Sequence, residues 1–102
     1  MENDIRLSGP TLKVLKLLLE KPRDGRAGAD ISRALGISSG TLYPMLARLE
    51  HAGWLKSKWE IIDPTDVGRP RRRFYKLTGY GQTQGARALA ELQMAPGVLA
   101  WN

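Results

Sequence analysis

Residues Ser39 to Leu55 read SGTLYPMLARLEHAGWL. Leu42, Met45, Leu46 and Leu49 recur at i, i+3, i+4 and i+7, the spacing of an apolar stripe along one side of a helix. Ser38 stands where a helix cap belongs, and Gly53 where the helix ends. Pro44 falls in the second turn, where its missing N–H leaves the Gly40 carbonyl without its usual partner. A helix with this flaw near its start invites a reason for keeping it.

The flanking segments supply a setting. Upstream, ADISRALG predicts a short helix with Ile31, Ala34 and Leu35 on one side and Gly36 as a left-handed cap. Two helices joined through the tight turn ISSG make a helix-turn-helix, whose second helix enters the major groove with its N-terminal residues at the base edges. Further upstream, Ser8 caps a helix beginning near Pro10. Leu12, Leu15, Leu18 and Leu19 follow at helical spacing, and Pro22 stops the run. TLKVLKLLLEK is apolar on more than one face, which suits either a thick core helix or a helix shared with a second subunit. KPRDGRAG reads as a loop.

Downstream, WLKSKWEII alternates, with Leu55, Ser57, Trp59 and Ile61 on one face and Trp54, Lys56, Lys58 and Glu60 on the other. RRRFYKLT alternates again, with Tyr75 and Leu77 sharing a face, after the turn-rich DPTDVGRP. Three helices and then a hairpin predict a winged helix-turn-helix, mainly α with a small β-hairpin (α+β). Thr78 caps a last helix that places Ala86, Leu89 and Leu92 on one side. The expected organisation is one compact unit: residues 1–78 as the winged helix-turn-helix, and residues 79–102 as a C-terminal dimerisation helix with a short apolar tail.

The charge is unevenly placed. The 102 residues carry 16 Lys and Arg against 10 Asp and Glu, a net charge of +6, which favours polyanionic partners. Between Val67 and Thr78 stand Arg69, Arg71, Arg72, Arg73 and Lys76 with no acid among them. Arginines on a protruding ribbon suit phosphate contact or entry into a narrow minor groove. Such a run also serves as a charged edge that resists aggregation. Lys56 and Lys58 extend the patch from the first strand. The chain has no cysteine and one histidine, His51, which excludes a disulfide scaffold, a thiol nucleophile and any thiolate metal site. We find no phosphate loop, metal spacing or nucleophile–base arrangement, so neither an enzyme nor a cofactor is expected. No run approaches a membrane span, and MENDIRLSGP is too polar for a signal peptide.

GTLYPMLARLEHAGWLKSKWE followed by GRPRRRFYKLTGYG resembles the PadR family of bacterial transcriptional regulators. The shared pattern comprises Gly40-Thr41-Leu42-Tyr43-Pro44, then Leu46, Arg48, Leu49 and Glu50, then Gly53, Ser57, Trp59 and Glu60, and finally Tyr75, Leu77, Thr78 and Gly81. The resemblance covers about residues 8 to 92. It implies a homodimer that binds a two-fold-related operator on double-stranded DNA, usually as a repressor, in the bacterial cytoplasm at the nucleoid. It also implies release by a small hydrophobic or phenolic effector in some members. The chain departs from the family pattern at Gly28-Ala29-Asp30, where Gly-Tyr-Glu is common, and its C-terminal region is short.

The candidate sites follow. Ser38, Ser39, Gly40, Thr41, Tyr43, Pro44 and Arg48 belong to the recognition helix, and Lys58, Arg69, Arg71, Arg72 and Arg73 to the wing. Hydroxyls of Ser39, Thr41 and Tyr43 suit phosphates and base edges, and Pro44 offers an apolar face to a thymine methyl. The alternative has Tyr43 and Pro44 packing on the wing. Arg48 reads equally as a phosphate contact or as the partner of a nearby carboxylate. Trp54 and Trp59 read as packing residues. The dimer face is expected from Leu12, Leu15 and Leu19 with Ala86, Leu89 and Leu92; Trp101 reads first as a tail residue packing on the partner subunit or disordered, and is otherwise the candidate effector contact. A winged helix used as a protein–protein module for an acidic partner is the alternative function.

Overall fold

The Ser8 hydroxyl accepts the Thr11 N–H at 3.3 Å and starts α1 (Gly9–Glu20), with Pro10 in the first turn. A computed structural model describes residues 5–94. Val14, Leu15 and Leu18 lie on the buried face of α1, and each such side chain contributes about 1.5–3 kcal/mol through burial. Leu15 is fully enclosed by its own chain, which corrects its assignment to a dimer face; it is a core residue. Leu12 and Leu19 flank that face and are half-buried.

The segment expected as a loop contains a two-residue strand, β1 (Arg26–Ala27), too short for alternation to reveal. The helix α2 (Gly28–Leu35) buries Ile31, and Leu35 packs against the core beside it, but Ala34 is exposed. Gly36 closes α2 at φ +66°, a conformation open to glycine, with its N–H on the Ser32 carbonyl. The helix α3 (Ser39–His51) buries Leu42, Met45, Leu46 and Leu49, as its spacing predicts. Ser38 is its cap by backbone position only. The Ser38 hydroxyl donates to Thr41 Oγ1 at 3.3 Å and accepts no backbone N–H from the first turn of the helix.

The hairpin consists of β2 (Leu55–Trp59) and β3 (Arg73–Leu77), with a single helical turn, α4 (Pro64–Val67), in its connection. The Asp63 carboxylate caps that turn by accepting the Thr65 N–H at 2.9 Å. The three strands are antiparallel in the order β1-β3-β2. Leu55 faces Leu77, Lys56 faces Lys76, Ser57 faces Tyr75, Lys58 faces Phe74, and Trp59 faces Arg73. Leu55, Tyr75 and Leu77 cover the core, whereas Lys56, Lys58, Phe74 and Lys76 lie on the opposite face. Trp54 precedes the strand and is buried, so the alternation does not extend back to it.

Thr78 joins the hairpin to α5 (Gly79–Met94). Its hydroxyl accepts the Gly81 N–H at 2.9 Å and donates to the Gly53 carbonyl at 2.6 Å. The inner stripe of α5 is made of small residues, Gly81, Gly85 and Ala88. A Cβ on Gly81 would stand 1.9 Å from the Trp54 carbonyl oxygen, so only glycine permits this approach. Ala86 and Leu92 are exposed and Leu89 is half-buried. Trp101 lies outside the described residues.

Candidate nucleic-acid interface

The N-terminal half of α3 faces solvent. Ser38, Ser39, Gly40, Thr41, Tyr43 and Pro44 are all exposed, while the stripe from Leu42 to Leu49 holds the opposite side in the core. The proline therefore weakens the helix on the side that carries no packing. Arg48 is exposed one turn further on. The Tyr43 ring rests on the start of α2: a Cβ on Gly28 would lie 2.6 Å from its Cε1 and hydroxyl oxygen. Gly28 was not a candidate from sequence. Its role appears only once the ring is seated.

Across from Tyr43, the wing completes a cleft of about 440 Å3, lined by Gly28, Tyr43, Trp59, Arg71, Arg72 and Arg73 among others. Trp59, expected to pack, is 55% exposed, because the strands run past the end of the core as the wing. Its ring instead takes the Arg73 guanidinium at 5.2 Å, and the same guanidinium lies 5.9 Å from the Tyr75 ring.

The wing arginines are not equivalent, and acids outside the basic run explain why. Glu60 accepts both terminal nitrogens of Arg69, at 2.8 and 2.9 Å, and also the Arg72 N–H at 3.2 Å. The Arg69 guanidinium and the Arg72 amide hold the Glu60 carboxyl at a pKa of about 2, against a smaller opposing effect of burial. Arg73 donates from Nε to Ser57 Oγ at 3.0 Å and lies 3.6 Å from the Glu50 carboxylate, while Ser57 donates to Glu50 at 2.7 Å. Arg71 donates from Nε to the Ile62 carbonyl at 3.1 Å, so its charge is anchored but not neutralised. Arg71 and Arg72 form no ion pair among the described residues and are exposed. Of the five cations of the run, Arg69 and Arg73 are thus paired with acids that lie outside it. Lys58 points away from this cleft, on the outer face of the sheet with Lys56 and Lys76.

The profile of the transcriptional regulator PadR-like family matches residues 14–87. The chain belongs to the PadR-like family of transcriptional regulators. The transcriptional regulator Rv3488 of Mycobacterium tuberculosis is 46% identical over 59 residues, which span 55% of this chain and 50% of that protein. A PadR-like transcription factor of Bacteroides fragilis superposes with a TM-score of 0.68 at 27% identity, over 82% of this chain and 80% of that one. AbfR of Staphylococcus epidermidis, in a structure of its reduced form bound to DNA, gives a TM-score of 0.61 at 33% identity, over 76% of this chain and 51% of that one. Among the described residues, no helix is long and apolar enough to cross a membrane.

Proposed function

We propose that this PadR-like chain binds double-stranded DNA as a homodimer and represses transcription from a two-fold-related operator. The observation that carries the proposal is the shared cleft: the exposed first turns of α3 and the free cations Arg71 and Arg72 open onto one solvent-facing groove. Ser39, Thr41, Tyr43 and Pro44 approach base edges and phosphates from α3, and the wing arginines take the neighbouring backbone. The AbfR complex with DNA supports this use of a similar fold. Exposed or half-buried Leu12, Leu19, Ala86, Leu89 and Leu92 supply apolar surface for the second protomer along α1 and α5. Residues 1–78 then serve as the reading unit and residues 79–102 as the pairing unit. Release by a small hydrophobic or phenolic compound belongs to the same reading, and titration of tryptophan fluorescence tests it.

The experiment is selection from random duplexes, with an Arg71→Ala/Arg72→Ala variant in parallel. Recovery of a sequence with two-fold symmetry, half-sites about one helical turn or a multiple apart, and loss of affinity in the variant support the reading. Weak, sequence-blind binding that vanishes at about 0.15 M salt overturns it in favour of a scaffold for an acidic protein.

A further inference from the structure

The outer face of the sheet carries a second basic surface, separate from the cleft. Side chains on successive strand residues point to opposite faces, so Lys56, Lys58, Phe74 and Lys76 face away from Ser57, Trp59, Arg73 and Tyr75. Arg23, from the loop before β1, joins them around a groove of about 410 Å3 with no acidic residue in its lining. None of these four cations forms an ion pair among the described residues. Lys56 stands directly opposite Lys76, an arrangement that destabilises an antiparallel pair.

Protection of an edge strand does not account for the pattern. β2 is an edge of the sheet, but β3 is its central strand, and Lys76 sits on β3. The β1 ladder ends at Tyr75, so Lys76 stands just past it, and guarding that short open stretch does not require a second lysine directly opposite on β2. Its repulsion with Lys56 is relieved when an anion lies across both strands. Phe74 lies between the lysines and offers an apolar surface to a sugar edge.

We infer that this face binds the phosphate backbone of a second DNA duplex, so that a dimer on its operator can hold another segment of DNA. This rests on the proposed reading of the α3 cleft as the operator site. A straight duplex seated against α3 and Arg71–Arg72 cannot also lie on the opposite face of the same sheet. The second face has no base-reading helix, so it accepts any sequence.

The test immobilises a selected operator duplex of about 30 base pairs, three helical turns. The full chain is bound to it at about 0.15 M salt, where charges further apart than about 8 Å are screened. Capture of a second, labelled duplex of unrelated sequence is then measured for the wild type and for Lys56→Ala/Lys76→Ala. The expected result is capture by the wild type and its loss in the variant, with operator affinity kept within about twofold. Equal capture by the variant overturns the inference, because the two recognition helices of a dimer would then be doing the bridging. Loss of operator affinity in the variant also overturns it, since the lysines would belong to the first footprint. Operator binding without capture, with poly-glutamate held at these lysines, overturns it in favour of an acidic protein. A wild-type chain that does not hold the first duplex overturns both readings, whereas one that holds the first and not the second overturns only this one.

Discussion

The Glu60 carboxylate receives both terminal nitrogens of Arg69 and the backbone N–H of Arg72, and so clasps the two limbs of the wing nine and twelve residues apart. The clasp holds the backbone from which Arg71 and Arg72 project. Arg69 is thereby withdrawn from the free charge of the wing. The folded pKa of Glu60, about 2, lies below its ordinary value of 4.5. Its stabilising contribution is therefore complete above pH 4.5 and is lost as pH falls through 4.5 towards 2. Glu60→Gln should remove that part of the acid dependence from the unfolding profile. It should also speed amide exchange at Arg72 several-fold at neutral pH while leaving the core amides of α3 unchanged. An unaltered Arg72 amide would show that the wing keeps its shape without the clasp.

Pro44 tests whether the flaw in α3 is used. Its side of the helix is exposed, so Pro44→Ala restores a backbone hydrogen bond without touching the core. Thermal stability should hold or rise, by at most about 3 kcal/mol. Affinity for the selected operator should fall several-fold, because the apolar ring and the altered start of the helix are both lost. Unchanged affinity in a binding titration would remove Pro44 from the interface.

Two glycines that both abut a tryptophan or tyrosine residue should respond differently to alanine. At Gly81 the obstacle is the Trp54 backbone oxygen, which cannot move without shifting the start of β2 against α5. Gly81→Ala should cost about 1–3 kcal/mol, in the range of an overpacked core, and lower the unfolding midpoint in urea. At Gly28 the obstacle is the Tyr43 ring, which is 41% exposed and free to swing outward. Gly28→Ala should leave the unfolding free energy read from urea titration within about 0.5 kcal/mol of wild type and still weaken operator binding. A Gly28→Ala protein with full affinity would show that the seated position of Tyr43 is not the one used on DNA.

The core of α3 was legible because its stripe of Leu42, Met45, Leu46 and Leu49 has one period and one face. Thr78 was legible because a cap has a local signature. Leu15 was misassigned because periodicity shows which side of a helix is apolar but not how many neighbours cover it. Trp59 was misread for a related reason: alternation sets the face of a strand, while the point at which the core stops depends on the helices packed behind it. The inner stripe of α5 escaped because glycine and alanine register weakly as apolar, and their function is to let another backbone come close. Glu60 was visible as a strand residue, but its pairing with Arg69 depends on how α4 folds the intervening loop.

The same inequality among the wing arginines gives a prediction in salt dependence. Log K against log salt becomes shallower by about 0.9 for each phosphate contact removed. Arg71 and Arg72 carry free charge, so their joint replacement by Ala should flatten the slope by about 2 per protomer and weaken binding to all duplexes. Arg73 is held by Ser57, Glu50 and the Trp59 ring. Arg73→Ala should leave the slope nearly unchanged and lower the stability of the hairpin, because Glu50 loses its cation and Trp59 its cover. Binding isotherms at four salt concentrations, read beside thermal melts, separate the two outcomes. A slope flattened by about 0.9 in Arg73→Ala as well would mean that the ion pairs seen in the free protein open on DNA and that Arg73 also turns to phosphate.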